Sequence, residues 1–406
     1  MNYPEALAWL YGLQRFGIKL GLENIQRLIA VLGVDLGRAR VIHVAGTNGK
    51  GSVCAMIDSI LRAQKYRTGL FTSPHLVTFR ERIRVDREMI SEEAVASGLI
   101  TVRDLVRDWD PHPTFFEITT ALALKHFSNA KIDVAILETG LGGRLDATNA
   151  AQSNVSVITA IDLDHQQWLG QSLRDIAAEK AGIIKPKIPV ISAPQAPDAE
   201  KVIRTRAAEC EAPLQLVNDS YQKTPIVLAG EYQKQNAALA IAALRAARID
   251  IDNASIVRGL TSVDWPARFQ LWDDRIVIDG AHNPTAARVL AQTWRETFGD
   301  QRASLILAIL SDKDLRGICE ALAPIANSVL VPKIRSDRAT PPGELANVLS
   351  AITPSLPYFI TDSIADALAL AHTKPNPILI TGSLHFAGEA LAYLRGEPAA
   401  FEECAQ

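Results

Sequence analysis

Features that define several protein classes are missing from this chain of 406 residues. Its four cysteines, Cys54, Cys210, Cys319 and Cys404, are far apart and form no C-x-x-C pair, which argues against a zinc site or a disulfide framework. The eight histidines include no H-E-x-x-H pattern, so a zinc hydrolase is not supported.

Three further absences limit location and partners. The formal net charge of -3 gives no general basic surface, which argues against a nucleic-acid partner. The sequence contains no run of about 18 apolar residues, so no transmembrane helix is expected. The N-terminus also lacks the basic and apolar regions of a signal peptide. We therefore expect a cytoplasmic protein with no membrane partner.

The most informative segment is VIHVAGTNGKGS, residues 41–52. The residues before Gly46 predict a buried strand, and apolar residues at helical spacing follow the segment. A glycine loop with a lysine, here Lys50, between a strand and a helix N-terminus can hold a phosphate through backbone N–H groups and charge. An ordinary strand-to-helix turn is the competing interpretation.

Apolar strand-like segments alternate with helical patterns along most of the chain. After the loop they cover 68–73, 132–137, 155–161 and 188–192. One intervening helix is indicated by apolar residues spaced three and four apart from Val95 to Trp109, with Ser91 as its N-cap. Continuous apolar strands separated by helices are typical of a parallel sheet that is covered on both faces.

A second series of strands and helices begins near residue 275. Its predicted strands are 275–278, 304–310, 328–331 and 378–381, and one helix covers 284–294. We predict an α/β protein with a large N-terminal phosphate-loop domain, whose mostly parallel sheet is flanked by helices, and a smaller C-terminal Rossmann-like α/β domain. The predicted domains are 1–267 and 268–406, joined near Pro266.

Polar residues follow several predicted strands, where ligands bind in doubly wound sheets. Glu138 ends one strand and precedes a glycine-rich turn, so a Mg²⁺ ligand and an exposed strand-end acid are both possible. His75, two residues after Ser73, and His165 follow two other strands and can converge on one cleft, although a lone histidine is more often structural. Asp279 and Ser383 follow strands of the second series, with a turn role as the alternative for Asp279.

The variant spelling of the phosphate loop, with Gly51 between Lys50 and Ser52, resembles the ATP loop of the Mur ligase superfamily. The resemblance is strongest to its folate branch, the folylpolyglutamate synthases and dihydrofolate synthases. It extends over nearly the whole chain, because five segments look like family motifs in the family's order: 47–52, 72–75, 114–117, 138–149 and 279–284.

The resemblance implies a set of site residues. ATP contacts would come from Asn48, Gly49, Lys50, Gly51, Ser52, Asn236, Arg268 and Asp279. Ligands of two Mg²⁺ ions would be Ser52, Ser73, Glu138, His165 and a carbamoylated Lys180. Catalytic roles would fall to Lys50, Lys180, His165 and His282. The pterin site would use Lys19, Leu20, Gly21, Leu22, Thr114, Phe115, Phe116, Glu117, Leu145, Asp146 and Ala147, and Ser383 and His282 would lie near the incoming glutamate.

Lys180 alone, on an alanine-rich helix, has a simpler interpretation as a solvated or ion-paired lysine. Burial would depress its pKa and make the neutral amine reactive, but the sequence does not reveal burial.

The implied activity is ATP-dependent ligation of L-glutamate to dihydropteroate and to reduced folates through an acyl phosphate, by a monomer. A monofunctional folylpolyglutamate synthase is one alternative. A peptidoglycan-precursor ligase would need a further domain before the loop, and only 45 residues precede Gly46. A nucleotide-dependent switch without ligase chemistry would have no use for the motif at 279–284.

Overall fold

A computed structural model describes residues 1–13 and 21–403. The first part of the chain builds an eight-stranded sheet in the order β4-β3-β2-β5-β1-β6-β7-β8. Its strands are β1 (Arg40–Ala45), β2 (Thr68–Phe71), β3 (Ile83–Val85), β4 (Glu88–Met89), β5 (Val134–Glu138), β6 (Val155–Ile158), β7 (Val190–Ser192) and β8 (Leu214–Leu216). All neighbouring strands are parallel except at β3 and β4, which form an antiparallel extension of β2.

Helices cover both faces of this sheet, because side chains of its strands alternate between two apolar layers. Ile42 and Val44 of β1 pack in one layer and Val41 in the other. The first layer includes α3 (Lys50–Ala63), α9 (Glu231–Ala246) and α10 (Asn253–Ser262). The second includes α1 (Tyr3–Gly12), α2 (Glu23–Val31), α4 (Glu92–Val106) and α5 (Phe115–Ala130). The sheet edge near β7 is covered by α6 (Gln166–Leu169), α7 (Leu173–Ala181) and α8 (Pro197–Glu209).

The later part of the chain forms a six-stranded sheet in the order β13-β12-β11-β14-β10-β9, parallel except for β9. Its strands are β9 (Gln270–Leu271), β10 (Ile276–Ile278), β11 (Ala303–Leu307), β12 (Ala326–Pro332), β13 (Tyr358–Thr361) and β14 (Ile378–Thr381). The helices are α11 (Pro284–Phe298), α12 (Leu315–Leu322) and α13 (Pro342–Ile352) on one face, and α14 (Ile364–His372) and α15 (Leu384–Leu394) on the other.

The predicted α/β class with two mostly parallel sheets is confirmed, but several strand ends were wrong and the short strands β3, β4, β8, β9 and β13 were not predicted. The strands predicted at 68–73, 155–161 and 304–310 end at Phe71, Ile158 and Leu307. Their last residues leave the ladder and turn into the loops that carry polar groups. Ser91 caps α4 as predicted, since its hydroxyl accepts the N–H of Ala94 at 3.1 Å.

No helix in 1–13 or 21–403 is both long and apolar enough to cross a membrane.

Candidate active site

The phosphate loop joins β1 to α3 at the centre of the first sheet. The chain continues from β1 through α3 to β2 on one side, whereas β6 lies on the other side of β1, so a crevice opens beyond the carboxyl end of β1. Gly46 and Gly49 have φ of 151° and 93°, which a residue with a Cβ rarely adopts. A Cβ at Gly46 would lie 1.9 Å from Thr159 Oγ1, and one at Gly49 would lie 2.7 Å from Asn236 Oδ1. The turn therefore requires glycine at both positions.

The N-terminus of α3 suits an anion. In the described structure no side chain caps this end, so its first N–H groups are available to a phosphate. The ammonium of Lys50 donates to the carbonyl oxygens of Gly46 and Thr47, each at 3.1 Å. The ammonium therefore lies next to the loop, where a phosphate oxygen can replace one carbonyl oxygen as its hydrogen-bond acceptor.

Glu138 at the end of β5 is 5% exposed. Its Oε2 accepts the N–H of Ser73 at 3.2 Å, which brings the β2 and β5 strand ends together. Burial raises the pKa of the Glu138 carboxyl, whereas the positive charge of Lys50 opposes this rise. A cation beside Glu138 would have the same effect as Lys50 and favour the carboxylate.

Lys180, on α7, is buried with 5% exposure. Its ammonium donates to the carbonyl oxygen of Gly46 at 2.8 Å, on the side of the loop toward β6. Burial and the nearby charge of Lys50 lower the pKa of Lys180 to about 7. The solvated interpretation of this lysine is therefore wrong, and a neutral amine is accessible near neutral pH.

Asp164, in the turn after β6, contacts three residues that follow strands of the second sheet. Its carboxylate accepts from Lys313 Nζ at 2.7 Å and from Asn283 Nδ2 at 3.3 Å, and His282 Nε2 lies 3.6 Å away. Burial opposes the charged form, but the contacts with His282, His165 and Lys313 outweigh it and hold the pKa of Asp164 below its usual range. Asp164 therefore stays ionised.

His165 follows directly and begins α6 with a left-handed φ of 51°. Desolvation lowers the pKa of its imidazole to about 4, although the charge of Asp164 opposes this effect. The ring is neutral at neutral pH, as a metal ligand or proton acceptor must be.

Amide side chains extend the contact between the two sheets. Asn283 Nδ2 donates to Asn48 Oδ1 of the phosphate loop at 3.0 Å, while Asn283 Oδ1 caps α11 by accepting the N–H of Ala286 at 2.9 Å. On α9, Gln233 Nε2 donates to Ser52 Oγ after the phosphate loop at 3.4 Å, and Asn236 Nδ2 donates to Gln233 Oε1 at 2.9 Å. The phosphate loop therefore contacts α9 and the second unit, which is the six-stranded sheet with its helices. The first unit is the eight-stranded sheet with its helices.

The segment between the two sheets is fixed by Asp279. Its two carboxylate oxygens accept the N–H groups of Phe269 at 2.7 Å and Ala281 at 2.8 Å. Burial raises the pKa of Asp279, and the charge of Arg268 opposes the rise. Arg268 lines a cleft together with Gly51, Ser73 and Glu138, so residues of both units share one cavity.

Three of the predicted pterin residues form hydrogen bonds that fix the local backbone. Thr114 and Glu117 form a capping box at the start of α5, in which Glu117 Oε2 accepts the N–H of Thr114 at 2.8 Å. Asp146 Oδ2 accepts the N–H groups of Gly140 at 2.8 Å and Leu141 at 2.9 Å. Burial raises the pKa of Asp146, and the hydrogen bond from Thr148 opposes this rise. The carboxylates of Glu117 and Asp146 therefore bind backbone N–H groups of their own segments in this conformation.

The other pterin candidates differ in exposure. Phe115 is buried and stacks on Tyr11 with ring centroids 5.7 Å apart, whereas Phe116 is half-buried and covers Gly140. Ala147 is buried and Leu145 is half-buried. Gly21 and Leu22 precede α2, and Lys19 and Leu20 lie outside the described residues.

Ser383 begins α15 as its N-cap, because its hydroxyl accepts the N–H of Phe386 at 3.1 Å. Its hydroxyl also donates a hydrogen bond to the carbonyl oxygen of Ala308 at 3.4 Å. His282 lies on the same sheet edge, and its Nδ1 is 2.8 Å from the carbonyl oxygen of Gly280.

Comparison with known proteins agrees with this geometry. The Mur ligase middle domain matches residues 44–192, and the Mur ligase glutamate ligase domain matches residues 267–384. The dihydrofolate synthase/folylpolyglutamate synthase of Bacillus subtilis is 34% identical over 95% of this chain and 97% of its own length. The chain belongs to the dihydrofolate synthase/folylpolyglutamate synthase family of Mur ligases.

Solved structures of this folate ligase family share the fold. FolC of Escherichia coli in complex with DHPP and ADP superimposes with a TM-score of 0.87, at 33% identity over 98% of both chains. The bifunctional folylpolyglutamate synthase/dihydrofolate synthase of Yersinia pestis, complexed with AMPPNP and Mn ion, has a TM-score of 0.87 at 30% identity, over 97% of this chain and 98% of that chain. The prediction of an ATP-dependent folate ligase is thereby confirmed at the level of the family.

The donor set fits a folate ligase that binds its metal together with a nucleotide. In the residues that the structure describes, no three His, Cys, Asp or Glu side chains are grouped as a metal site. Glu138 offers a buried carboxylate that accepts the N–H of Ser73 after the neighbouring strand β2, and His165 follows β6, which β1 separates from β5. Mg²⁺ is usually held by one or two carboxylates plus substrate phosphates and water, so a sparse protein set is sufficient.

Three residues of the Asp164 cluster have no predicted role in the sequence: Asp164 itself, Asn283 and Lys313. Asp164 precedes His165, which was the obvious metal-ligand type, and Asn283 lies inside the motif at 279–284. Lys313 lies in the polar run after β11, at the carboxyl end of a strand, where the same rule that selected Asp279 applies.

Proposed function

We propose that the chain is a bifunctional dihydrofolate and folylpolyglutamate synthase, which joins L-glutamate to dihydropteroate and to reduced folates while ATP is converted to ADP and phosphate. The observation that carries the proposal is the shared cleft, where Gly51, Ser73 and Glu138 face Arg268 of the second unit. A nucleotide-dependent switch would need the loop and Glu138 but no second set of polar residues opposite them.

The chemistry follows from the acceptor, since a carboxylate is a poor electrophile whose leaving group would be oxide. Transfer of the γ-phosphoryl group to this carboxylate gives an acyl phosphate. The glutamate amine then attacks its carbonyl carbon, and the C–O bond to phosphate breaks. Lys50 and the α3 N–H groups would stabilise charge on the transferring group. Closure between the two units would exclude water from the acyl phosphate.

We propose that Ser52, Ser73, Glu138 and His165 bind Mg²⁺. Lys180, as a carbamate, would help to hold a second ion. When bound, Mg²⁺ supplies neutralising charge on the phosphates. Lys180 supports the carbamate proposal because its pKa of about 7 leaves neutral amine to add to CO2. Asn48, Gly49, Gly51, Asn236, Arg268 and Asp279 are proposed as nucleotide contacts.

For the organic substrates, we propose that the pterin lies against Phe116 and the loop at 145–147, and that glutamate binds near His282 and Ser383. The boundary between domains is proposed at 267/268, and a cytoplasmic monomer is the proposed form.

ADP release by purified protein with Mg-ATP and L-glutamate tests the function, with dihydropteroate and tetrahydrofolate supplied separately. Glutamate-dependent turnover with both acceptors is expected. Turnover with tetrahydrofolate alone would restrict the enzyme to polyglutamation. No glutamate-dependent turnover with either acceptor would overturn the proposal.

A further inference from the structure

The segment at 73–79 belongs to the first unit by sequence, yet it packs into the second. It leaves β2 and begins with Ser73, whose N–H contacts Glu138. Leu76 and Val77 are buried in the apolar cluster that contains Ile278 and Phe386 of the second unit. The strand end that carries Ser73 is therefore held by the core of the other unit.

Gly388 of α15 makes this packing possible. A Cβ at this position would lie 1.9 Å from the carbonyl oxygen of Leu76, a distance that real Cβ atoms do not reach. The helix thus lies directly against the backbone of the 73–79 segment. Any larger residue at 388 must push the segment or the helix away.

Glu402 holds the same segment from the other side. Its Oε2 accepts the N–H of Phe79 at 2.5 Å and the hydroxyl of Thr78 at 3.2 Å, and its Oε1 accepts the hydroxyl of Tyr3 at 3.0 Å. Its own N–H donates to the carbonyl oxygen of Val77 at 2.8 Å. A single glutamate thus connects the chain after α15 to three residues of the 73–79 segment and to α1.

His75 adds a buried contact of defined direction. Arg82 Nε donates to His75 Nδ1 at 2.8 Å, so the proton of this neutral ring lies on Nε2. Nε2 is 3.1 Å from the carbonyl oxygen of Glu402 and donates to it. The segment is therefore fixed by side-chain and backbone contacts at successive residues.

We infer that Gly388 and Glu402 are positioning residues, which act through the 73–79 segment to hold Ser73 in place against Glu138. Neither residue touches the reacting groups. Their effect on catalysis rests on the proposed function, in which Ser73 and Glu138 bind Mg²⁺. Their effect on the segment does not depend on that proposal.

Hydrogen exchange of the full chain, followed by mass spectrometry, tests the structural part without substrate. Glu402→Ala and Gly388→Ala should exchange the amides of 73–82 faster than wild type, and Glu402→Gln should lie between because it keeps a neutral acceptor. Gly343→Ala is the matched control, since Gly343 also lies in a helix of the second unit and a Cβ added there would have nothing within 4 Å. Wild-type exchange of 73–82 in both Glu402→Ala and Gly388→Ala would overturn the inference.

Steady-state kinetics test the catalytic part. Gly388→Ala should lower kcat by roughly 10- to 100-fold, the loss expected when reacting groups shift by about 1 Å. The Mg²⁺ concentration that gives the half-maximal rate should rise in Gly388→Ala and in Glu402→Ala. In Gly343→Ala it should match that of wild type. Faster exchange with unchanged kcat and Mg²⁺ dependence would refute the positioning role. If wild type lacks glutamate-dependent turnover, the proposed function fails and exchange alone decides whether Gly388 and Glu402 hold the segment.

Discussion

Lys180 donates a hydrogen bond to the carbonyl oxygen of Gly46 at 2.8 Å, across 134 positions of sequence. This contact brings a buried amine from α7 to the phosphate loop, beside the ammonium of Lys50. Burial, and then the nearby charge of Lys50, disfavour the charged form of Lys180 and lower its pKa to about 7. The contact holds Lys180 against the phosphate loop rather than on the exposed surface of its helix.

The stability of the protein should therefore depend on pH through Lys180. In the unfolded chain this lysine has an ordinary pKa of 10.5, and in the folded protein about 7. Between these values the unfolded state binds more protons, so stability rises with pH and the penalty is largest below pH 7. Lys180→Met should remove a penalty on the order of a few kcal/mol at pH 6, and its advantage over wild type should shrink toward pH 10.

Urea unfolding at pH 6, 7.5 and 9 in bicarbonate-free buffer measures this dependence. Lys201→Met, at an exposed position of α8, is the control and should show the same pH dependence as wild type. A constant difference between Lys180→Met and wild type at all three pH values would contradict the depressed pKa.

Loss of the amine should also be partly repaired by small carboxylates. Lys180→Ala leaves a buried space beside Gly46, into which acetate or formate can bring the negative charge that a carbamate would supply. We expect ligation to be lost and then partly regained as the carboxylate concentration rises, as measured by ADP release. Full activity of Lys180→Ala without any addition would refute the carbamate.

Lys50→Ala should abolish ligation without unfolding the protein. The lysine lies half-buried over the loop, and its removal leaves the carbonyl oxygens of Gly46 and Thr47 accessible to water. Loss of one charged donor from a transition-state site lowers kcat by at least about 100- to 1000-fold, which leaves little or no measurable ligation. Kinetics and thermal melting of Lys50→Ala and Lys201→Ala check this, and a kcat within threefold of wild type would remove the phosphate role.

Asp164 and Lys313 should be strongly coupled. Both side chains are 8% exposed and their charged atoms are 2.7 Å apart, so truncation of either leaves a buried charge. A double-mutant cycle with Asp164→Asn and Lys313→Met should give a coupling of about 1–3 kcal/mol in the free energy of unfolding.

The exposed pair Arg87–Asp264, also at 2.7 Å, provides the matched cycle for that measurement. Its side chains are 56% and 60% exposed, and exposed pairs contribute less than about 1 kcal/mol. Equal coupling in the two cycles would mean that Asp164 does not hold the two units together.

Much of the fold could be predicted because its signals are local. Side-chain periodicity distinguishes a strand from a helix within a few residues, and caps such as Ser91 bond to N–H groups three positions away. The antiparallel pair β3 and β4 was not predicted, since three- and two-residue strands carry too little periodic pattern.

The amino-acid sequence by itself determined the α/β layers, the glycines of the phosphate loop and the order of the family motifs. Only the tertiary structure decided that Lys180 is buried, that Asp164 meets Lys313 and that Glu402 holds the segment after Ser73. These contacts join residues separated by 134, 149 and more than 300 positions. Burial and charge pairing at such separations depend on how the two units pack, and no local pattern encodes which distant residue a side chain will meet.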